Sequence, residues 1–268
     1  MSTSVYIINA FTEALFGGNP AAVVPVELAI NDQLMQSIAA QHNLSETAFA
    51  EYLGPDRFNL RWFTPQKEVP LCGHATLATA FALDYRDDWQ GEMLTFETAS
   101  GEIYVKRSDE GLSIEFPSVP MIEIDKVAAI ERALGVTIIS MHQPKEKPWQ
   151  MVCELLSQAE VEACTPDYVA LDDATVLGVA ITAPGNTSDF VSRFFIPQLG
   201  INEDPVTGSA HCQLTPYWAE KLGKSVLTAR QLSPRGGDLR CEFKGDRVQL
   251  SGHCRLFAEG VLHLPLTE

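Results

Sequence analysis

The sequence predicts an α+β protein built from two similar halves, each a set of antiparallel strands wrapped on a long central helix. Three observations carry that prediction. Arg61-Trp62-Phe63-Thr64-Pro65 reappears as Arg193-Phe194-Phe195-Ile196-Pro197. A small-residue turn follows each block, Cys72-Gly73-His74-Ala75 and then Thr207-Gly208-Ser209-Ala210. Each turn opens a segment with apolar residues at helical spacing, so one supersecondary unit is used twice.

The elements follow in order. Leu34, Met35, Ile38 and Ala39 form a helix pattern that gives way to a strand around Asn43 to Phe49. After the first turn, Leu77, Phe81 and the small Ala78 and Ala82 fall at helical spacing. After the second, Ala210, Leu214, Tyr217, Trp218 and Leu222 do the same, and Gly223 is placed to cap that helix. Beyond the helices, Ser100 to Val105 parallels Gly236 to Cys241. Each run passes through a turn, Asp109-Glu110-Gly111 or Lys244-Gly245-Asp246, into another strand. Asp125 to Leu134 reads as a further helix, with Asp125 at its N-cap and Gly135 at its end. Arg235-Gly236-Gly237 reads as a hairpin turn and Ser251 to Cys254 as a bulge between strands. The join falls near Pro117 to Pro120, giving halves 1–117 and 118–260, with a final strand at about 261–268 expected to return to the first half. The segment from Ile138 to Asp189 carries the least motif content.

Composition narrows the function classes. The chain has 268 residues, 46% of them hydrophobic, enough to bury a large core. The net charge of −16 opposes binding to nucleic acid or to an anionic membrane surface. No run approaches the roughly 20 apolar residues that span a bilayer, and MSTSVYIINAF lacks the basic start of a signal peptide, so a cytoplasmic protein is expected. Six scattered cysteines without a CxxC pair point to reduced thiols. No metal is expected from the His and Cys spacing, and no GxGxxG or GxxxxGK[ST] signature calls for a nucleotide or flavin cofactor.

Chemistry is sought first at the two turns. If the halves pack about a pseudo-two-fold axis, two helix N-termini can face a common cleft, where unpaired N–H groups and the positive dipole end favour an anion. Gly73, His74, Gly208 and Ser209 are the expected donors to a substrate carboxylate, although either glycine alone could be only a tight turn. Glu46, among Leu44, Ala48 and Phe49, is placed for partial desolvation if it faces inward and could then carry protons; otherwise it is a solvent-facing strand residue. His74 and Asp204 flank the turns and could position a base or relay a proton. Equally, Asp204 could fix the turn before Pro205, and His74 could cap its helix. Ser209 could donate to developing enolate charge. Cys72 beside a helix N-terminus could be a thiolate, or an inert buried thiol.

These residues resemble the PhzF-like (phenazine biosynthesis-like) family within the diaminopimelate epimerase superfamily, from end to end. The resemblance rests on Ala10-Phe11-Thr12, on Gly18 to Val23 and on Asn43-Leu44-Ser45-Glu46-Thr47-Ala48-Phe49. It continues through Arg61 to Pro65, Glu68 to Thr76 and Glu203 to His211. It is greatest to the short members, which include mammalian phenazine biosynthesis-like domain proteins. It implies the diaminopimelate epimerase-like fold, two pseudo-symmetric halves with a barrel-like antiparallel sheet around a central helix, and a frequent homodimer. It places the family's acid/base glutamate on Glu46, its assisting histidine and aspartate on His74 and Asp204, and its substrate contacts on Ser45, Cys72, Gly73, Gly208 and Ser209.

Epimerase relatives use two cysteines. Cys72 matches the first, but Pro205 or Val206 stands where the second would be. The expected activity is therefore cofactor-independent isomerisation of a small unsaturated carboxylic acid, with Glu46 moving a proton between carbons. Epimerisation of an amino or hydroxy acid through Cys72 and a non-catalytic interaction module are the alternatives.

Overall fold

The computed structural model describes residues 2–27, 30–146, 150–174 and 178–264. Contacts divide the chain into two compact units, one of Met1–Glu115 with Ser251–Glu268 and one of Phe116–Leu250.

In the first unit, β1 (Ser2–Ala10) and β2 (Asn19–Val26) pair antiparallel, and α1 (Asp32–His42) carries the chain across to β3 (Glu46–Gly54), which lies parallel to β2. β4 (Arg57–Phe63) returns antiparallel to β3 and is followed by the short β5 (Glu68–Val69). The central helix α2 (Gly73–Tyr85) is the crossover to β6 (Met93–Thr98), which runs parallel to β4, and β7 (Gly101–Ser108) and β8 (Gly111–Pro117) extend the meander.

The second unit repeats this plan. β9 (Met121–Ile124) and α3 (Ala128–Leu134) lead to β10 (Ser140–Pro144), antiparallel to β9 and to β11 (Gln150–Glu154). Helices α4 (Gln158–Ala163) and α5 (Tyr168–Ala174) cross over to β12 (Gly178–Pro184), parallel to β11. β13 (Phe190–Ile196) returns antiparallel to β12, β14 (Ile201–Asp204) folds back on it, and α6 (Gly208–Leu222) is the crossover to β15 (Val226–Gln231), parallel to β13. β16 (Gly237–Phe243) and β17 (Arg247–Gly252) follow. β18 (Cys254–His263) then pairs antiparallel along the whole of β1.

Residue chemistry explains the central helices. α2 has Ala, Leu and Thr on nearly every side, and nine of its thirteen residues are buried, so it is a core helix rather than the amphipathic segment its spacing suggests. Thr76 and Thr79 are tolerated there because their hydroxyls donate to the Cys72 and Ala75 carbonyls, at 2.6 and 2.7 Å. In α6, Trp218 stacks on Phe190 at 5.8 Å and its indole N–H donates to the Thr182 hydroxyl at 2.9 Å. Pro216 lies inside α6 and has no N–H to give the Cys212 carbonyl; the Val119 N–H takes that place at 3.1 Å. Gly223 closes α6 in the left-handed conformation, φ 65°, as its position predicts.

Two boundaries differ from those read in the sequence. Helix α3 begins at Ala128 with Val127 at its N-cap, not at Asp125, because Ile122 to Ile124 are drawn into pairing with β10. The returning strand begins at Cys254 rather than near 261, and Ser251 to Cys254 marks the passage from one strand to the next. A nine-residue register with β1 holds it there, and a periodicity reading cannot see such a partner. Residues 265–268 of the expected final strand lie outside the described residues.

Leu77 is fully buried on α2, whereas Leu53 is 46% exposed on β3. Leu77→Ala is expected to cost about 2–5 kcal/mol in urea unfolding, and Leu53→Ala to stay within about 0.5 kcal/mol.

Candidate active site

In the first unit the site is built on β2, β3 and the start of α2. Gly18, at φ +67°, turns the chain so tightly that a Cβ would stand 2.3 Å from the Ala10 carbonyl oxygen; Asn19 then pairs opposite Ala10. Asn43 ends α1 in the left-handed conformation, and three residues later Glu46 opens β3 opposite Ala21. Arg61 on β4 forks onto both Glu68 oxygens at 2.8 Å, tying β4 to β5 just before Cys72, the N-cap of α2.

These local devices bring four side chains together. His74 Nε2 lies 3.2 Å from Glu46 Oε2. On the opposite edge of the ring, Nδ1 lies 3.2 Å from Asn19 Nδ2 and 3.5 Å from Cys72 Sγ. All but Glu46 are more than nine-tenths buried, and the Glu46 side chain is 17% exposed. Burial and the Glu46 charge push the Cys72 thiol up to about 11, which favours the buried thiol over the thiolate, the two readings the sequence left open. Burial disfavours a charged His74, but the facing Cys72 sulfur and Glu46 carboxylate outweigh it and raise its pKa.

Glu46, Cys72 and His74 also place one O, one S and one N donor within 4.8 Å of one another, a grouping hidden from the sequence spacing. Their lone pairs do not converge. Cys72 meets one edge of the imidazole and Glu46 the other, so a single ion would require the ring to turn. Ser45 directly precedes Glu46, and Gly73, half-buried, starts α2.

The second unit places Asp204, Thr207, Gly208 and Ser209 at the start of α6. The Thr207 hydroxyl donates to Asp204 Oδ2 at 2.6 Å. Gln231, fully buried, donates to the Asp204 carbonyl at 2.7 Å and accepts from the Thr207 N–H at 2.9 Å. Asp204 thus fixes its own turn as well as flanking it. Ser209 is exposed and its hydroxyl accepts from Gln150 at 3.3 Å; Gln213 donates in turn to Gln150 at 2.7 Å. Nothing in the sequence pattern marks Asn19, Gln150 or Gln231, although Asn19 lies in the Gly18 to Val23 segment that carries part of the resemblance.

Strand register aligns the two units residue by residue. Phe63 pairs with Thr47 and Phe195 with Val179, so Glu46 corresponds to Gly178. The repeated turns put Thr207 at Cys72 and Ser209 at His74, both Cys72 and Thr207 being helix N-caps, so Thr207 takes the second thiol position expected at Pro205 or Val206. Any side chain at Gly178 would press on Phe194, whose ring atom lies 2.7 Å from the ideal Cβ. The ionisable side chains Glu46, Cys72 and His74 are thus matched in the second unit by Gly178, Thr207 and Ser209. There the α6 histidine, His211, is one turn further along, donates from Nδ1 to the Thr207 carbonyl at 2.8 Å, and is fully buried.

A family model described as phenazine biosynthesis-like protein, PhzC-PhzF, matches residues 8–260. An uncharacterized isomerase of Pseudomonas aeruginosa is 46% identical over 98% of this chain and 100% of its own. A bovine phenazine biosynthesis-like domain-containing protein is 38% identical over 98% of this chain and 99% of its own. The crystal structure of a PhzF-family phenazine biosynthesis protein from Enterococcus faecalis is 44% identical with a TM-score of 0.93, covering 98% of this chain and 100% of that one. A probable proline racemase from Agrobacterium radiobacter, at 11% identity and TM-score 0.61 over 99% of this chain and 93% of its own, shares the fold.

Burial lowers the His211 pKa to about 4, against 6.5 when free. The unfolded chain therefore binds the extra proton first, and stability should be lost as pH falls from about 6.5 towards 4. The difference corresponds to a contribution on the order of 3 kcal/mol. Urea midpoints at pH 7 and pH 5 should diverge less in His211→Gln than in the wild-type chain.

Proposed function

We propose that this chain, which belongs to the PhzC-PhzF phenazine biosynthesis-like family, is a cofactor-independent isomerase that moves a proton between carbons of a small unsaturated carboxylic acid. The reading is supported above all by the one-sided distribution of acid/base groups, Glu46, His74 and Cys72 in one unit against Gly178, Ser209 and Thr207 in the other. Racemisation through two opposed bases needs a pair of proton carriers, whereas an allylic or keto-enol shift needs a single carboxylate that takes a proton from one carbon and returns it at another. Relatives named uncharacterized isomerases support the reaction class.

In this reading Glu46 is the acid/base. His74 Nε2 faces Glu46 Oε2 at 3.2 Å, so a charged ring attracts the carboxylate, and Oε1 is the oxygen that exchanges a proton with substrate. In the first unit the N–H group at the start of α2, at Gly73, is the donor offered to a carboxylate beside Glu46; in the second, the start of α6 offers the Gly208 N–H and the Ser209 hydroxyl as donors to an anion or to enolate charge. Asp204 keeps the Thr207 to Ser209 turn in place for that work. Ser45 and Cys72 line the substrate beside Glu46; a thiol held up to about 11 suits contact better than proton abstraction.

Incubation in D₂O with a panel of unsaturated and amino carboxylic acids tests the reaction by NMR. Carbon-bound deuterium together with a moved double bond is expected, and Glu46→Gln should lose about 10²- to 10⁴-fold in rate while remaining folded. Inversion without bond migration, surviving in Glu46→Gln but lost in Cys72→Ser, would replace this mechanism with thiol epimerisation.

A further inference from the structure

We infer that Asn19 is a positioning residue that decides which ring nitrogen of His74 carries the proton. The inference rests on the isomerase reading for its catalytic meaning, but its geometry stands in the first unit alone. Asn19 is completely buried and is held by its place opposite Ala10 at the start of β2. Its amide nitrogen is 3.2 Å from His74 Nδ1.

A neutral imidazole has one N–H donor and one bare acceptor nitrogen. If the Asn19 amide donates to Nδ1, the ring proton must sit on Nε2, where it meets Glu46 Oε2 at 3.2 Å. The other tautomer would set the Nε2 lone pair against a carboxylate oxygen and the Nδ1 proton against an amide N–H, two repulsive contacts in a buried place. Glu46 from β3 and Cys72 from the start of α2 are the titratable groups in contact with the ring. Cys72 also reaches Nδ1, at 3.5 Å, but a thiol is a weak donor beside an amide. Asn19 and Glu46 therefore select the same tautomer. With the proton on Nε2, the ring turns a positive edge towards Oε2 across 3.2 Å, and Oε1 is the oxygen left for the substrate carbon.

The ring nitrogens report this directly in protein grown with ¹⁵N-labelled histidine, with His74→Gln identifying the signal. Once His74 is neutral, the wild-type ring should show a protonated Nε2 and a bare Nδ1. Asn19→Asp, nearly isosteric but only an acceptor, should move the proton to Nδ1, and Asn19→Leu should leave a mixture of the two. A wild-type ring protonated at Nδ1, or doubly protonated at every pH at which the chain stays folded, would overturn the inference. So would a shift caused by Cys72→Ala when folded Asn19→Asp causes none, since the thiol would then hold the ring. The wild-type spectrum decides even if a variant does not fold. Because no substrate is involved, the expected tautomer in a chain that exchanges no carbon-bound proton would sink the isomerase reading alone.

Discussion

A helix enclosed by its own sheet must meet its polar side chains either with its own carbonyls or with groups on the surrounding strands. That constraint governs both units. Along α2, Thr76 and Thr79 turn their hydroxyls back to carbonyls one turn earlier, and along α6 His211 does the same with Nδ1. The first turn is different, because its N–H groups have no carbonyl behind them within the helix. Cys72, His74, Thr207 and Ser209 stand at these first turns, beside N–H groups that have no partner within the helix. Arg61 with Glu68, and Arg193 with Glu203, brace the strand pairs that deliver the chain to those two starts. The second brace is the more deeply buried, and Arg193 also donates to the Val161 and Cys164 carbonyls.

A repeated architecture need not repeat its chemistry. At the position that carries Glu46 in one unit, Phe194 packs against bare Gly178 in the other, so the two copies have diverged in volume as well as in charge. The residue opposite shows the converse. Ala21 beside Glu46 is small, while Gln150 beside Gly178 is long enough to reach Ser209 and Gln213. One unit presents ionisable groups in close contact, and the other presents a buried relay of neutral amides.

Much of this was legible in the residues. The Arg61 and Arg193 blocks and the two glycine turns mark the repeat because their geometry is local: an arginine in reach of a nearby carboxylate, and a helix started by a residue with little or no side chain. Glu46, Cys72 and His74 stand out in the sequence and the structure brings their side chains together, whereas Asp204 is held against Thr207 in the other unit; which of the two readings of Cys72 applies depends on complete burial beside a carboxylate, which no sequence pattern shows. Asn19, Gln150 and Gln231 escaped because an amide has no titration or periodicity to betray it; only the folded chain sets Asn19 against His74, Gln150 against Ser209 and Gln231 against Thr207. The start of β18 was missed for the same reason, its partner being at the far end of the chain. The cluster of Glu46, Cys72 and His74 likewise arises from β3 meeting the start of α2, which no spacing along the chain reveals.

The pairing of β18 with β1 has a consequence for how the chain is made. Synthesis delivers β1 first, yet its neighbour on one side does not exist until the ribosome has passed Ser251. The second unit, continuous from Phe116 to Leu250, has no such debt to later sequence and can complete its contacts while the first still exposes an open strand edge. The half that bears Glu46 and His74 is thus begun first and finished last, and the lifetime of that unpaired edge during translation is the interval in which a nascent chain would need protection from self-association.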